Sequence, residues 1–203
     1  MAVLSRGFRR ARPERDDGRL PPGQYDAGDD FPVLSAGPTP HTALERWDLS
    51  IDDATSGLAR WSWEEFRALP HERITVDIHC VTTWSKLGMT FDGVSVDTLL
   101  DAAGVQPAAT HVVAACHTGY TTNLPLADVT DGKAWVVWDA DGKPLTTEHG
   151  GPARLLVPHL YFWKSAKWVS ELRLLDHDEP GFWERNGYHD RGDPWKEQRY
   201  QGD

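Results

Sequence analysis

The feature that most constrains the fold is a set of short runs in which apolar and polar residues alternate, each cut off by glycine, proline or a polar turn. In LERWDLSI, Trp47, Leu49 and Ile51 alternate with Arg46, Asp48 and Ser50, and in ITVDIHCV, Val76, Ile78 and Cys80 alternate with Asp77, His79 and Val81. A period of two sends one set of side chains to one face, so each run predicts a half-buried strand. HVVAAC, AWVVWDA, ARLLVP and KWVSELRLL are further strand candidates, and DADGKPL supplies a Gly-bearing turn. Helices are fewer and short. WSWEEFRALP sets Ser62 three residues before Glu65 as a capping box, with Pro70 as the stop, and SVDTLLDAAG is capped by Ser95 and closed by Gly104. With no regular strand-helix repeat, a mixed, strand-rich α+β domain is expected rather than a doubly wound sheet.

Residues 1–30 mix Arg, Asp, Gly and Pro with few large apolar side chains, the composition of a mobile or wrapping arm, so the folded domain is expected over 31–203. That stretch has material for a core, since the chain is 39% hydrophobic and carries 10 Trp. Acidic residues outnumber basic ones 31 to 21, a net charge of -10 that argues against nucleic acid as partner. No apolar run approaches the roughly 18 to 20 residues of a membrane segment. Arg9 and Arg10 are not followed by an apolar stretch, so neither a secretory nor a twin-arginine signal is expected and the expected location is cytoplasmic. Two cysteines cannot make a disulfide framework.

The placement of those cysteines raises the chemical question. Cys80 closes a strand and runs into Thr82, Thr83, Trp84 and Ser85, read as a polar turn. A free cysteine on a strand is commonly a small buried hydrophobe, and a thiol at a strand end is also placed for ligation or nucleophilic attack. Cys116 again sits beside a histidine, so His79, Cys80, Cys116 and His117 suggest a two-Cys, two-His zinc site. Against it, neighbours on a strand project to opposite faces, so each pair offers one ligand.

From His149 to Ser170 the chain holds Arg154, Lys164 and Lys167 with His149 and His159 and no acidic residue, a positive island in an acidic protein. Gly150 and Gly151 allow close backbone approach, and Lys-Ser-Ala-Lys offers donors to an oxyanion. The competing reading is that these cations rim a strand and reach to water. GxxxxGK[ST] and GxSxG are both missing, which removes a P-loop and a serine-hydrolase elbow. The aromatic tail GFWERNGYHDRGDPWKEQRY either covers the core or closes over a pocket, offering Tyr188, His189 or Arg191.

Taken together, CVTTWS, the spacing of His149 and Arg154, and VPHLYFWKSAKWV resemble the molybdopterin domain of the sulfite oxidase family over about residues 31–195, above all its smaller bacterial branch. That branch includes the methionine-sulfoxide reductase catalytic subunit. The resemblance implies a sulfite-oxidase-type fold and a molybdenum-molybdopterin cofactor. Cys80 matches the cysteine that ligates molybdenum, a soft donor for a soft site. His149, Arg154, Ser165, Ala166 and Lys167 inherit the binding of pterin and phosphate, and Thr118 matches another pterin contact. Tyr188, with His189, is the candidate at the pocket wall.

Departures from the family pattern bear on the substrate. The arginines that bind anionic sulfite fall near Ser85 and Leu34 here, which points to a small, weakly charged substrate such as a sulfoxide or N-oxide. The resemblance extends to no haem-binding module, so a separate electron-transfer partner or small carrier is expected. The expected reaction is two-electron oxygen-atom transfer. Its rivals are a zinc hydrolase and a module that carries the cofactor, or has lost the metal, without catalysis.

Overall fold

The computed structural model describes residues 18–53, 57–105 and 108–203. The first 17 residues of the expected arm lie outside these. Among the described residues eleven strands occur: β1 (Tyr25–Asp26), β2 (Asp48–Asp53), β3 (Gly57–Ser62), β4 (Glu72–His79), β5 (Trp84–Ser95), β6 (His111–Cys116), β7 (Thr121–Pro125), β8 (Trp135–Ala140), β9 (Lys143–Pro144), β10 (Arg154–Leu156) and β11 (Val169–Leu175). Three short helices join them: α1 (Trp63–Ala68), α2 (Val96–Ala103) and α3 (Phe182–Arg185). None is long and apolar enough to cross a membrane.

Local rules explain α1 and α2. Ser62 Oγ accepts the Glu65 amide at 3.3 Å while the Glu65 carboxylate accepts the Ser62 amide at 2.8 Å, completing the capping box. Ser95 Oγ accepts the Thr98 amide, and Gly104 ends α2 in the left-handed region at φ +68°.

The strands form two sheets. In one, β3-β2-β11-β6-β7 are neighbours, with β2 and β11 parallel and the other pairs antiparallel. In the other, β5 is central: β4 runs along one side, while β1 and β8 share the other, followed by β10. Leu49, Ile51 and Leu172 of the first sheet pack with Val94, Val136 and Leu155 of the second in one core. The opposite face of the second sheet carries another, built from Ile78, Met89, Phe91, Val137 and Leu156 and covered by Ala27 and Phe31. Val136 and Val137, like Leu155 and Leu156, therefore point into different cores, which is why AWVVWDA and ARLLVP read as unbroken apolar runs. Truncating Leu155 or Leu156 to Ala costs about 2–5 kcal/mol.

One expectation is corrected. Trp84 and Ser85 do not belong to a turn: they open the longest strand, β5, and only Cys80–Thr83 separate it from β4, with Val81–Thr83 closed off by the Cys80–Trp84 hydrogen bond. Thr83 supplies the left-handed conformation, φ 77°, that a three-residue hairpin loop requires and that glycine fills more easily. Part of the expected arm is built into the sheet, with Tyr25 and Asp26 pairing in parallel with Trp84 and Ser85.

Candidate functional site

A cavity of about 390 Å³ opens between the two sheets' loops, and the Cys80 turn forms one of its walls. Cys80 sits one residue past β4, where the hairpin closes by Cys80 N–H to Trp84 O at 2.8 Å and Thr83 N–H to Cys80 O at 3.0 Å. Its Sγ shares a hydrogen bond with Thr82 Oγ1 at 3.2 Å. Burial pushes the thiol pKa up, opposed by the Thr82 hydrogen bonds and by the charges of Lys167 and Arg199. A thiol so placed is protonated until an electrophile or metal displaces the proton.

The floor is cationic. Arg154, at the start of β10, is 1% exposed and donates from Nη1 to His149 O at 2.8 Å and from Nη2 to Ser165 O at 2.6 Å. Every acceptor it meets is a neutral carbonyl, and burial lowers its pKa to about 9. Lys167 donates to Leu34 O at 2.7 Å and to Glu148 O, again carbonyls, and its pKa falls to about 8 through burial and then repulsion from Arg154. Among the described residues neither cation has a carboxylate within salt-bridge distance. A buried and a half-buried cation on neutral acceptors form a site suited to an anion.

Gly150 and Gly151 make this packing possible. A Cβ on Gly150, at φ +106°, would lie 3.0 Å from Arg154 Cβ, and one on Gly151 would lie 2.3 Å from Leu145 O. His149 stacks on Phe31 at 3.9 Å, donates from Nε2 to Phe31 O, and pairs Nδ1 with Thr146 Oγ1. Its ring therefore walls the cavity with both nitrogens already engaged, and burial lowers its pKa. Ser165 Oγ accepts the Val157 amide, and Ala166 O accepts the Leu155 amide, so these two hold β10 while lining the cavity.

Thr118 and Tyr188 face the cavity from its outer side. Burial, with Tyr200 close by, raises the Tyr188 pKa and keeps its hydroxyl protonated. Leu34 also lines the cavity, from the loop after Phe31.

Other residues singled out in the sequence lie elsewhere. Lys164 leaves the positive island altogether: its Nζ is buried against Glu184 Oε1 at 2.6 Å. His159 meets Asp128 at 3.2 Å, as does Arg191 at 3.0 Å. His189 is outside the cavity wall, its Nδ1 accepting the Arg191 and Gly192 amides. Ser85 points away too, towards His79 Nδ1 at 2.8 Å. The zinc arrangement fails on the same ground. Cys116 donates to Lys167 O at 2.8 Å, His117 is 3.8 Å from Asp48, and among the described residues no three His, Cys, Asp or Glu side chains converge.

Sequence reasoning missed Trp84, Phe162 and Trp163 as wall residues. Trp84 is 3% exposed, and its buried indole Nε1 has no hydrogen-bond partner among the described residues. A free indole donor, a thiol and two cations that meet only carbonyl oxygens among the described residues together suit a soft metal on an anionic, acceptor-rich carrier.

Comparison with known proteins agrees with that donor set. A family model described as oxidoreductase molybdopterin binding domain matches residues 36–183. The uncharacterized oxidoreductase YuiH of Bacillus subtilis (strain 168) is 41% identical over 197 residues, 97% of this chain and 99% of that protein. The protein-methionine-sulfoxide reductase catalytic subunit MsrP of Gluconobacter oxydans is 29% identical over 158 residues, 68% of this chain and 50% of that protein, so this chain spans about half its length. The sulfane dehydrogenase SoxCD from Paracoccus pantotrophus superposes with a TM-score of 0.62 over 69% of this chain and 41% of that one, at 23% identity, a likeness of fold.

Proposed function

The chain belongs to the oxidoreductase molybdopterin-binding domain family, and on that premise we propose that it transfers an oxygen atom to or from a small, weakly charged substrate such as a sulfoxide or N-oxide, not sulfite. It is a molybdenum-molybdopterin oxidoreductase of the sulfite oxidase type. The observation that carries the proposal is the Cys80 thiol facing a cavity whose two cations, Arg154 and Lys167, have no carboxylate partner among the described residues.

In this reading Cys80 is the protein's ligand to molybdenum, and the bound group supplies two-electron oxygen-atom chemistry. Arg154 and Lys167 would neutralise the pterin's phosphate, their side chains oriented by their carbonyl contacts. Ser165 and Ala166 would hold β10 in register beside it, His149, backed by the Phe31 ring, would wall it, and Thr118 would offer a hydroxyl. Tyr188 keeps its proton and so donates a hydrogen bond to the substrate oxygen.

The choice of substrate rests on charge. Leu34, Phe182, Trp183 and Tyr188 surround the outer cavity, and Ser85 is turned away from it. Among the described residues an anion would find no Lys or Arg there beyond those assigned to the cofactor, whereas a neutral S=O or N–O group is suited by aromatic walls and a tyrosine hydroxyl. The name of MsrP supports a sulfoxide. Electrons would be exchanged with a separate carrier.

The test is elemental analysis with an absorption spectrum of protein made in molybdate-replete cells. About one molybdenum per chain, followed by turnover of a sulfoxide or N-oxide but not sulfite with an artificial electron donor or acceptor, supports the reading. Protein without molybdenum sinks it.

A further inference from the structure

The turn that carries Cys80 is held from outside its own hairpin. Cys80 O accepts from Gln24 Nε2 at 3.1 Å as well as from the Thr83 amide. Val81 O accepts from Arg199 Nη1 at 2.8 Å, and Thr83 O from the Tyr25 amide at 2.9 Å. Thr82 O is taken by Thr83 Oγ1 at 2.6 Å. Every carbonyl of the turn therefore has a donor, and three of the donors come from residues 24, 25 and 199.

Arg199 is the link among these. Its Nη2 reaches Pro22 O at 3.3 Å, and its guanidinium lies 5.1 Å from the centroid of the Tyr161 ring. One rigid, planar group thus ties together the segment before β1, the Cys80 turn and Tyr161, whose ring stacks behind the wall residue Trp163. The turn needs such support because Thr83 occupies the left-handed region, a conformation a non-glycine residue adopts only when its surroundings hold it there.

We propose that Arg199 is a positioning residue for the metal-binding cysteine: by joining Val81 O to Pro22 O it holds the Cys80 turn in the conformation that directs the thiol into the cavity. The inference rests on the assignment of Cys80 as ligand. It makes retention of the metal depend on a residue that does not line the cavity.

The experiment compares Arg199→Met, Arg199→Lys and Cys80→Ser in the full chain by two readouts. One is amide exchange at Cys80 and Thr83 in protein from cells that do not make the pterin, with Leu172 in the core as the control. The other is the time over which molybdenum stays on the loaded chain. Arg199→Met is expected to speed exchange at both turn amides roughly tenfold or more, with Leu172 unchanged, and to shorten metal retention. Arg199→Lys, which keeps the charge but cannot span both carbonyls, should fall between, and it carries the test if the Met variant does not fold.

Parent-like exchange and retention in the Arg199 variants overturn the proposal, as does an increase that Leu172 shares, which would mark global loosening. The two readings fail separately. If Cys80→Ser keeps its molybdenum, the ligand assignment is wrong; if it loses the metal while Arg199→Met behaves as the parent, only the positioning role falls.

Discussion

The guanidinium carbon of Arg154 lies 3.9 Å from the centroid of the Phe162 ring, so the most buried cation at the site rests on an aromatic face. Stacking and carbonyl contacts offset part of its desolvation but supply no negative charge.

Arg154→Met is therefore expected to weaken cofactor retention by tenfold or more, a loss of about 1.4 kcal/mol or greater. Arg154→Lys should recover little, since an ammonium cannot reach both His149 O and Ser165 O as the fork does. Pterin released per chain after gel filtration measures both.

The two cysteines separate cleanly. Cys80→Ser should lose molybdenum, whereas Cys116→Ser should keep about one per chain and cost only ~1 kcal/mol in stability. Burial raises the Cys116 thiol to about 12, so it should also resist alkylation at neutral pH. Metal analysis and mass spectrometry after iodoacetamide treatment report these outcomes.

Lys164 and Glu184 are each 0% exposed in the side chain, and Glu184 Oε1 also accepts from Trp163 Nε1 and Thr122 Oγ1. Burial lowers the Lys164 pKa and Glu184 pulls it back. Glu184→Gln leaves the ammonium without its counter-charge and should cost about 3–5 kcal/mol, lowering Tm by roughly 6 to 20 °C. The double variant Lys164→Met/Glu184→Leu should regain part of that, as thermal unfolding would show.

Asp128 gives a pH dependence. Burial raises its pKa, but hydrogen bonds from His159 and Arg191, with the charge of Arg191, outweigh this and bring it to about 2. A lowered carboxyl stabilises the fold above its unfolded value, and that stability is lost as pH falls from about 4 towards 2. Thermal scans should therefore show the parent above Asp128→Asn at pH 6 and the two converging near pH 2.

Local sequence rules reached much of this. Ser62 with Glu65, and Ser95 with Gly104, are chemical signals confined to one turn of chain, and they produced α1 and α2 as expected. The alternation around Leu49 and Ile51 produced β2 in the same way. The start of β5 was hidden because its turn uses Thr83 where Gly or Asn would have announced a left-handed residue. The two lysines of Lys-Ser-Ala-Lys could not be told apart either. A 3-10 turn over Phe162–Lys164 sends one into a buried pair, and the counter-ion that claims it is 20 positions on. Gln24 and Arg199 carry no local signal at all, since their significance exists only once distant backbone has come together.

Lys164 bears on how the wall assembles. Its three N–H bonds are answered jointly by Asn123 on β7, Glu184 on α3 and Asp190 O in the tail. Undocking any one of them takes a partner from a buried ammonium, and undocking α3 takes its counter-charge, so each of the three segments stabilises the docking of the others. Phe182, Trp183 and Tyr188 of that side line the cavity, so a charge that never touches the chamber helps to hold its outer panel shut.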